Sequence, residues 1–161
     1  MSPTPVRFHD PRATRADFAS SILVRCPRCE RIAHFEQRPY TPPDADGRRY
    51  PHTRLVCRSC GLCRIDKGPR RPSLRTGGPY YPALWLRTGT RHGELWAYNL
   101  QHLDLIRRFV AADLRERAPW YDTGHKMTLV ARLPAWMKSA KNRAEVLRAV
   151  DRLRATVIAP D

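Results

Sequence analysis

Apolar positions along this chain fall into two regimes. Short β-branched runs dominate up to residue 66, and stripes at helical spacing take over after residue 99. Ser21-Ile22-Leu23-Val24-Arg25 predicts a strand, and Ile32-Ala33-His34-Phe35-Glu36 its return. Arg54-Leu55-Val56 and Leu62-Cys63-Arg64-Ile65-Asp66 repeat that arrangement. Between the two hairpins, Arg38 to His52 is rich in Pro, Asp, Gly and Arg and predicts a long loop or hairpin tip. Residues 1–20 carry three prolines and little periodicity, so they read as a flexible N-terminal arm whose Arg7, Arg12 and Arg15 are within reach of a phosphate backbone. Residues 67–78 form a basic, proline-containing linker.

Beyond the linker, residues 79–161 predict a domain of one hairpin and two or three helices. Pro82-Ala83-Leu84-Trp85-Leu86-Arg87 and Glu94-Leu95-Trp96-Ala97-Tyr98 are its strands, with turn chemistry in Gly89-Thr90-Arg91-His92-Gly93. Asn99 is a candidate cap for a helix from Leu100 to Arg117, with Leu103, Ile106, Val110 and Leu114 on one face and Phe109 beside them. A shorter helix is expected from Met127 to Leu133, stopped by Pro134. The last runs from Asn142 to Thr156 and buries Val146, Leu147, Val150 and Leu153, with Asn142 and Glu145 spaced like a capping box. The fold class expected is therefore α+β: a small all-β ribbon, then a β-hairpin packed with helices.

The cysteines change this picture from elements to chemistry. Cys26-Pro27-Arg28-Cys29 and Cys57-Arg58-Ser59-Cys60 are separated by 27 residues and lie at the tips of the two predicted hairpins. A pair with two residues between its members turns tightly enough to aim both sulfurs at one point, and two such pairs complete a four-thiolate zinc site. The ligands are therefore Cys26, Cys29, Cys57 and Cys60, around one structural Zn2+ with no open coordination position. An iron site is the alternative metal. A ribbon of about 45 residues buries too little apolar surface to fold alone. Structural zinc, at roughly 10–16 kcal/mol of binding free energy, makes up the difference. Gly61 follows Cys60 where a positive φ is useful, whereas Glu30 holds the equivalent place and predicts a less regular first turn. Cys63, on the exit strand, is expected as a small buried residue, or else a redox-sensitive spare ligand. His34 and His52 are read as strand or surface histidines.

Thirty basic residues against fifteen acidic give a net charge of +15, which favours polyanionic partners. Twenty-six of the thirty are arginine, a skew that GC-rich coding also produces. The candidate nucleic-acid contacts are Arg25, Arg28, Arg31, Arg54, Arg58 and Arg64 around the knuckles, with Arg70, Arg71 and Arg75 in the linker. Lys138, Lys141 and Arg143 form a second candidate anion site at the start of the last helix. Tyr80, Tyr81, Trp85 and Trp96 are candidates for base stacking, although alternation places the two tryptophans in a core. No apolar run is long enough to span a bilayer and no signal-peptide pattern opens the chain, so a cytoplasmic protein without a membrane partner is expected.

Arg25-Cys26-Pro27-Arg28-Cys29 and Val56-Cys57-Arg58-Ser59-Cys60-Gly61 resemble the knuckles of the transcription-factor-IIB-type zinc-ribbon superfamily. Leu84-Trp85-Leu86, Glu94 to Asn99 and Arg132 to Arg143 resemble a group of uncharacterised bacterial zinc-ribbon proteins, and that likeness covers most of residues 20–155. The resemblance implies a small bacterial accessory protein and carries no activity with it.

No nucleophile–base pair, phosphate-cradling glycine loop or carboxylate pair stands out, so no catalytic residue is assigned and no small-molecule substrate is expected. The reading is a non-enzymatic zinc ribbon that binds DNA or RNA through a basic face, as an accessory to a larger machine. A zinc-stabilised protein–protein adaptor is the alternative. A nucleobase-deaminase-like enzyme is a remote one, because His34-Phe35-Glu36 and Cys57-x-x-Cys60 echo part of that signature while Val56 stands where it has proline.

Overall fold

The computed structural model describes residues 4–38, 45–47, 52–67, 83–115 and 128–158. In chain order the elements are β1 (Arg7–Phe8), α1 (Arg15–Phe18), β2 (Ser21–Arg25), β3 (Ile32–Arg38), β4 (His52–Val56), β5 (Cys63–Lys67), β6 (Arg87–Thr90), β7 (Gly93–Trp96), α2 (Leu100–Ala111), β8 (Leu114–Arg115), α3 (Ala135–Lys138), a 3-10 turn (Ala140–Asn142) and α4 (Arg143–Ile158). The protein is α+β. Its residues cluster into two units that interleave along the sequence.

The ribbon unit comprises residues 18–87 and 97–99. Its sheet has the order β2-β3-β4-β5, antiparallel throughout, with Arg25 opposite Ile32, Leu55 opposite Phe35 and Val56 opposite Cys63. Because side chains alternate across a strand, this register puts Ile22, Val24, Ala33, Phe35 and Leu55 on one face, and all five are buried. The free edge of β2 is closed locally. Arg25 N–H donates to Ala83 O at 2.8 Å, Trp85 N–H to Leu23 O at 2.9 Å and Leu23 N–H to Tyr98 O at 2.7 Å. Within the same unit, Asn99 Nδ2 donates to the carbonyls of Phe18 and Ser21. Residues 83–87 and 97–99 thus serve as a covering strap for the ribbon and belong to its unit, and the expected linker lies, beyond Lys67, outside the described residues.

The helical unit comprises residues 1–17, 88–96 and 100–161. Leu103, Ile106 and Val110 of α2 and Val146, Val150 and Leu153 of α4 are buried as their spacing predicts, and Leu105 joins them at 2% exposure. Four local expectations are corrected. Residues 4–17, read as part of a flexible arm, are held by β1 pairing parallel to β8, and Phe8 is buried edge-on against Phe109 with centroids 5.3 Å apart. That pairing also ends α2 at Ala111 rather than Arg117: Asp113 and Leu114 N–H groups donate to Val6 O, so Leu114 leaves the helical stripe and is 45% exposed. The helix expected over 127–133 is a pair of turns over its described part, in which Thr128 Oγ accepts from Ala131 N–H before Pro134 opens α3. Finally, Asn142 does not cap α4 from outside. It closes the 3-10 turn, 3% exposed, and its amide donates to Trp136 O.

The hairpin is shorter than the sequence predicts, with β6 and β7 joined by Arg91-His92. Leu86 and Leu95 are fully buried, whereas Trp85 and Trp96 are half-buried, each with an arginine over its ring. Gly93 leaves the turn at φ +144°, and a Cβ there would lie 3.3 Å from Trp136 Nε1. Replacing Gly93 with Ala should cost about 1–3 kcal/mol from backbone strain, with Trp136 displaced in addition. Urea unfolding of the variant checks this, and an unchanged midpoint would show that the turn relaxes freely.

Candidate metal centre

Two turns of the same design build the centre. In the first, Cys26 N–H donates to Arg31 O at 2.8 Å; in the second, Cys57 N–H donates to Leu62 O at 2.8 Å. Each loop carries a left-handed residue directly after its second cysteine, Glu30 at φ +61° and Gly61 at φ +73°. The first turn, expected to be irregular because it lacks glycine, therefore takes the same shape. Glu30 N–H donates to Cys26 O at 2.9 Å, a bond that helps hold the strained conformation.

The four sulfurs converge. Cys26 Sγ lies 3.7 Å from Cys60 Sγ, Cys29 Sγ lies 3.5 Å from Cys57 Sγ, and all four are within 4.8 Å of one another. Each short contact joins one cysteine from each turn, so the cluster clamps the two hairpins together. Sulfurs at the corners of a tetrahedron about 2.3 Å from a central ion stand about 3.8 Å apart. Disulfide-bonded sulfurs stand about 2.0 Å apart, and all five cysteines are free thiols. The arrangement fits a four-coordinate metal ion. Cys26 and Cys57 are buried to within 1% of full exclusion, and Cys29 and Cys60 are half-buried.

Electrostatics support the same reading. Burial pushes the Cys26 thiol up, but N–H groups of Cys29 and Arg28 and the neighbouring thiols overcome it and bring the pKa down to about 6. Arg28 N–H donates to Cys26 Sγ at 3.4 Å. At Cys29 the Arg31 N–H pulls downward, yet burial and the other three sulfurs push the pKa up to about 12. Four sulfurs this close cannot all carry charge unless a cation sits between them.

Around the centre, Arg25, Arg28, Arg31, Arg54, Arg58 and Arg64 are all exposed. The register puts Arg25 and Arg54 on the same face of the sheet, and Arg64, opposite Leu55, on the other. Arg28, Arg31 and Arg58 project from the cysteine turns. Arg25 lies over the Trp85 ring at 5.0 Å. Arg70, Arg71, Arg75, Tyr80 and Tyr81 lie outside the described residues. The second predicted anion site contracts in the structure: Lys138 Nζ donates to Ala131 O, and Arg143 pairs with Asp113 at 2.8 Å and donates to Ala112 O. Only Lys141 of that set is exposed. Cys63 is exposed too, contrary to the expectation of a buried residue, because its side chain shares the outer face with Val56 and Arg54. His34 and His52 are outside the sulfur cluster.

Among the described residues, no helix is long and apolar enough to cross a membrane. Comparison with protein-family models, curated proteins and solved structures finds no match for this chain.

Proposed function

We propose that the cysteine centre holds one structural zinc ion and that the protein binds nucleic acid through the arginine-bearing side of its ribbon. The observation that carries this reading is the conjunction of a closed four-sulfur site with six exposed arginines on and beside its two turns. Thiolate-only tetrahedral sites select zinc, and four protein ligands leave no position for a reacting water. The centre then acts as a scaffold. Zinc with four thiolates carries about −2, which the surrounding arginines more than offset. Arg25, Arg28, Arg31, Arg54 and Arg58 make the positive surface, with Arg64 on the opposite face of the edge strand.

Counterion release gives the test. The logarithm of the binding constant should fall linearly with the logarithm of salt concentration, at roughly 0.9 per phosphate contact for duplex DNA and 0.7 for single strands. Reversing Arg28, Arg31 and Arg58 to Glu should lower that slope by about two to three and weaken binding across sequences alike. Filter binding with DNA and RNA oligonucleotides measures both quantities. Absence of a complex at low salt, or a slope untouched by the reversals, overturns the reading.

The adaptor alternative draws on a separate observation: Ile65 is 59% exposed on β5, the last strand of the sheet. Partners that co-purify after nuclease treatment and are lost in Ile65→Glu would favour it.

A further inference from the structure

We infer that the helical unit carries a contact surface of its own, along α4, which lies on the phosphate backbone of a nucleic-acid duplex through Lys141, Arg148 and Arg152. Lys141, Ala144, Arg148, Arg152 and Ala155 follow one another at spacings of three, four, four and three residues. Steps of three and four return to one side of a helix, so these positions form a single face of α4 and of the 3-10 turn that runs into it. All five are exposed. The buried stripe Val146, Ala149, Val150 and Leu153 lies on the other side of the helix, and α4 packs against α2.

The charge of the exposed face is uncompensated. α4 holds two carboxylates, and arginines from outside the helix take both: Arg91 pairs with Glu145 at 2.8 Å, and Arg107 with Asp151 at 2.9 Å. Arg143 is held in turn by Asp113. Among the described residues, Lys141, Arg148 and Arg152 have no hydrogen-bond or ion-pair partner for their side chains. Arg148 and Arg152 stand one turn apart, a spacing at which like charges weaken a helix. A polyanion laid along the face relieves that repulsion.

The composition of the face selects among polyanions. Its two other members are alanines, short enough for a backbone to approach closely while the long cationic side chains reach it. It holds no aromatic ring, and proteins that grip single strands stack bases on such rings. It holds no large apolar residue, and a helix lying in a membrane surface needs an apolar face. What it offers is a straight row of cations, roughly 17 Å from Lys141 to Arg152 by the rise of a helix, suited to the phosphates of a stiff duplex of any sequence. The face shares its class of partner with the ribbon reading and none of its residues, so the two can fail separately.

Filter binding of the full-length, metal-loaded protein to a duplex of about 20 base pairs, and to one of its single strands, tests this across a salt series. Lys141→Glu, Arg148→Glu and Arg152→Glu together should lower the duplex salt slope by about two to three and the single-strand slope by much less. Arg152→Glu alone should lower the duplex slope by about one, and Arg154→Glu, at an exposed arginine of α4 off this face, by much less. Ala144→Glu with Ala155→Glu keeps every cation, sets carboxylates beside Arg148 and Arg152, and should lower the slope by about one to two. Unchanged far-UV circular dichroism establishes that the variants fold. A slope indifferent to the triple change, equal effects of Arg152→Glu and Arg154→Glu, or equal effects on duplex and single strand overturn the proposal. So does binding to phosphatidylserine vesicles that the triple change abolishes while duplex binding stays as it was. A duplex slope that responds to Arg28, Arg31 and Arg58 alone overturns this face and leaves the ribbon reading standing; a slope that responds to the α4 face alone does the reverse.

Discussion

Stripping the metal with a chelator should unfold the ribbon unit while leaving much of the α2–α4 packing in place. The binding free energy of a structural zinc in a small four-ligand module, roughly 10–16 kcal/mol, matches or exceeds the whole stability of an ordinary domain, about 5–15 kcal/mol. The ribbon's own apolar face is small: Ile22, Val24, Ala33, Phe35 and Leu55, with Leu86 and Tyr98 from the covering strap. Without the ion, charge on the four clustered sulfurs also works against the fold. Hydrogen exchange read across β2–β5 and across α2 and α4, with and without chelator, measures the effect. Protection should collapse in the four strands and largely persist in the two helices. Cys57→Ser, at a position with no exposure, should do the same without chelator and drop bound metal from one equivalent toward none. Strand protection that survives chelation would show that packing alone carries the ribbon.

The second large effect lies in the helical unit and depends on pH. His102 has its pKa depressed to about 4 by burial and by the nearby Arg15 charge, against 6.5 in the unfolded chain. At pH 7 the ring is neutral in both states, and the stability it permits is fully present. As pH falls below 6.5 the unfolded chain takes up a proton that the folded protein refuses until about pH 4. Stability therefore declines through that window, by about 3 kcal/mol in total. Acid also protonates thiolates and releases metal, so the informative quantity is a difference between two proteins. His102→Phe keeps an aromatic ring against Trp96 and removes the titration. Its stability should fall less steeply than wild type between pH 6.5 and 4, and the imidazole resonances of native wild type should titrate near pH 4. Parallel pH profiles for the two proteins would show that His102 titrates normally.

Features confined to a few consecutive residues could be read from the chain before any coordinates. The two cysteine pairs depend on spacings of three, and the sulfurs meet as that spacing requires. The stripes of α2 and α4 were equally plain, since Leu103, Ile106, Val110, Val146, Val150 and Leu153 recur at the helical period. Glu30 marks where such reading stops being reliable. Propensity alone argued for an irregular first turn, yet the hydrogen bonds of Cys26 and Glu30 hold the same left-handed geometry that Gly61 adopts without strain.

Other positions depended on partners far away in sequence. Phe8 is buried and Leu114 exposed because a two-residue strand pairs across more than a hundred residues, and no local pattern encodes that pairing. Lys138 and Arg143 look like a free basic run until the fold supplies Ala131, Ala112 and Asp113 as partners. The face along α4 keeps its cations uncompensated because Arg91 of the hairpin and Arg107 of α2 take that helix's two carboxylates, which happens only on folding. The chain by itself determined an α+β protein with a four-sulfur metal site and a basic surface, because ligand spacing, helical period and charge are local or additive. The tertiary structure alone decided which arginines remain exposed, which aromatic rings stay half-open and which segments share a unit, because those properties follow from long-range pairing and from what each side chain meets.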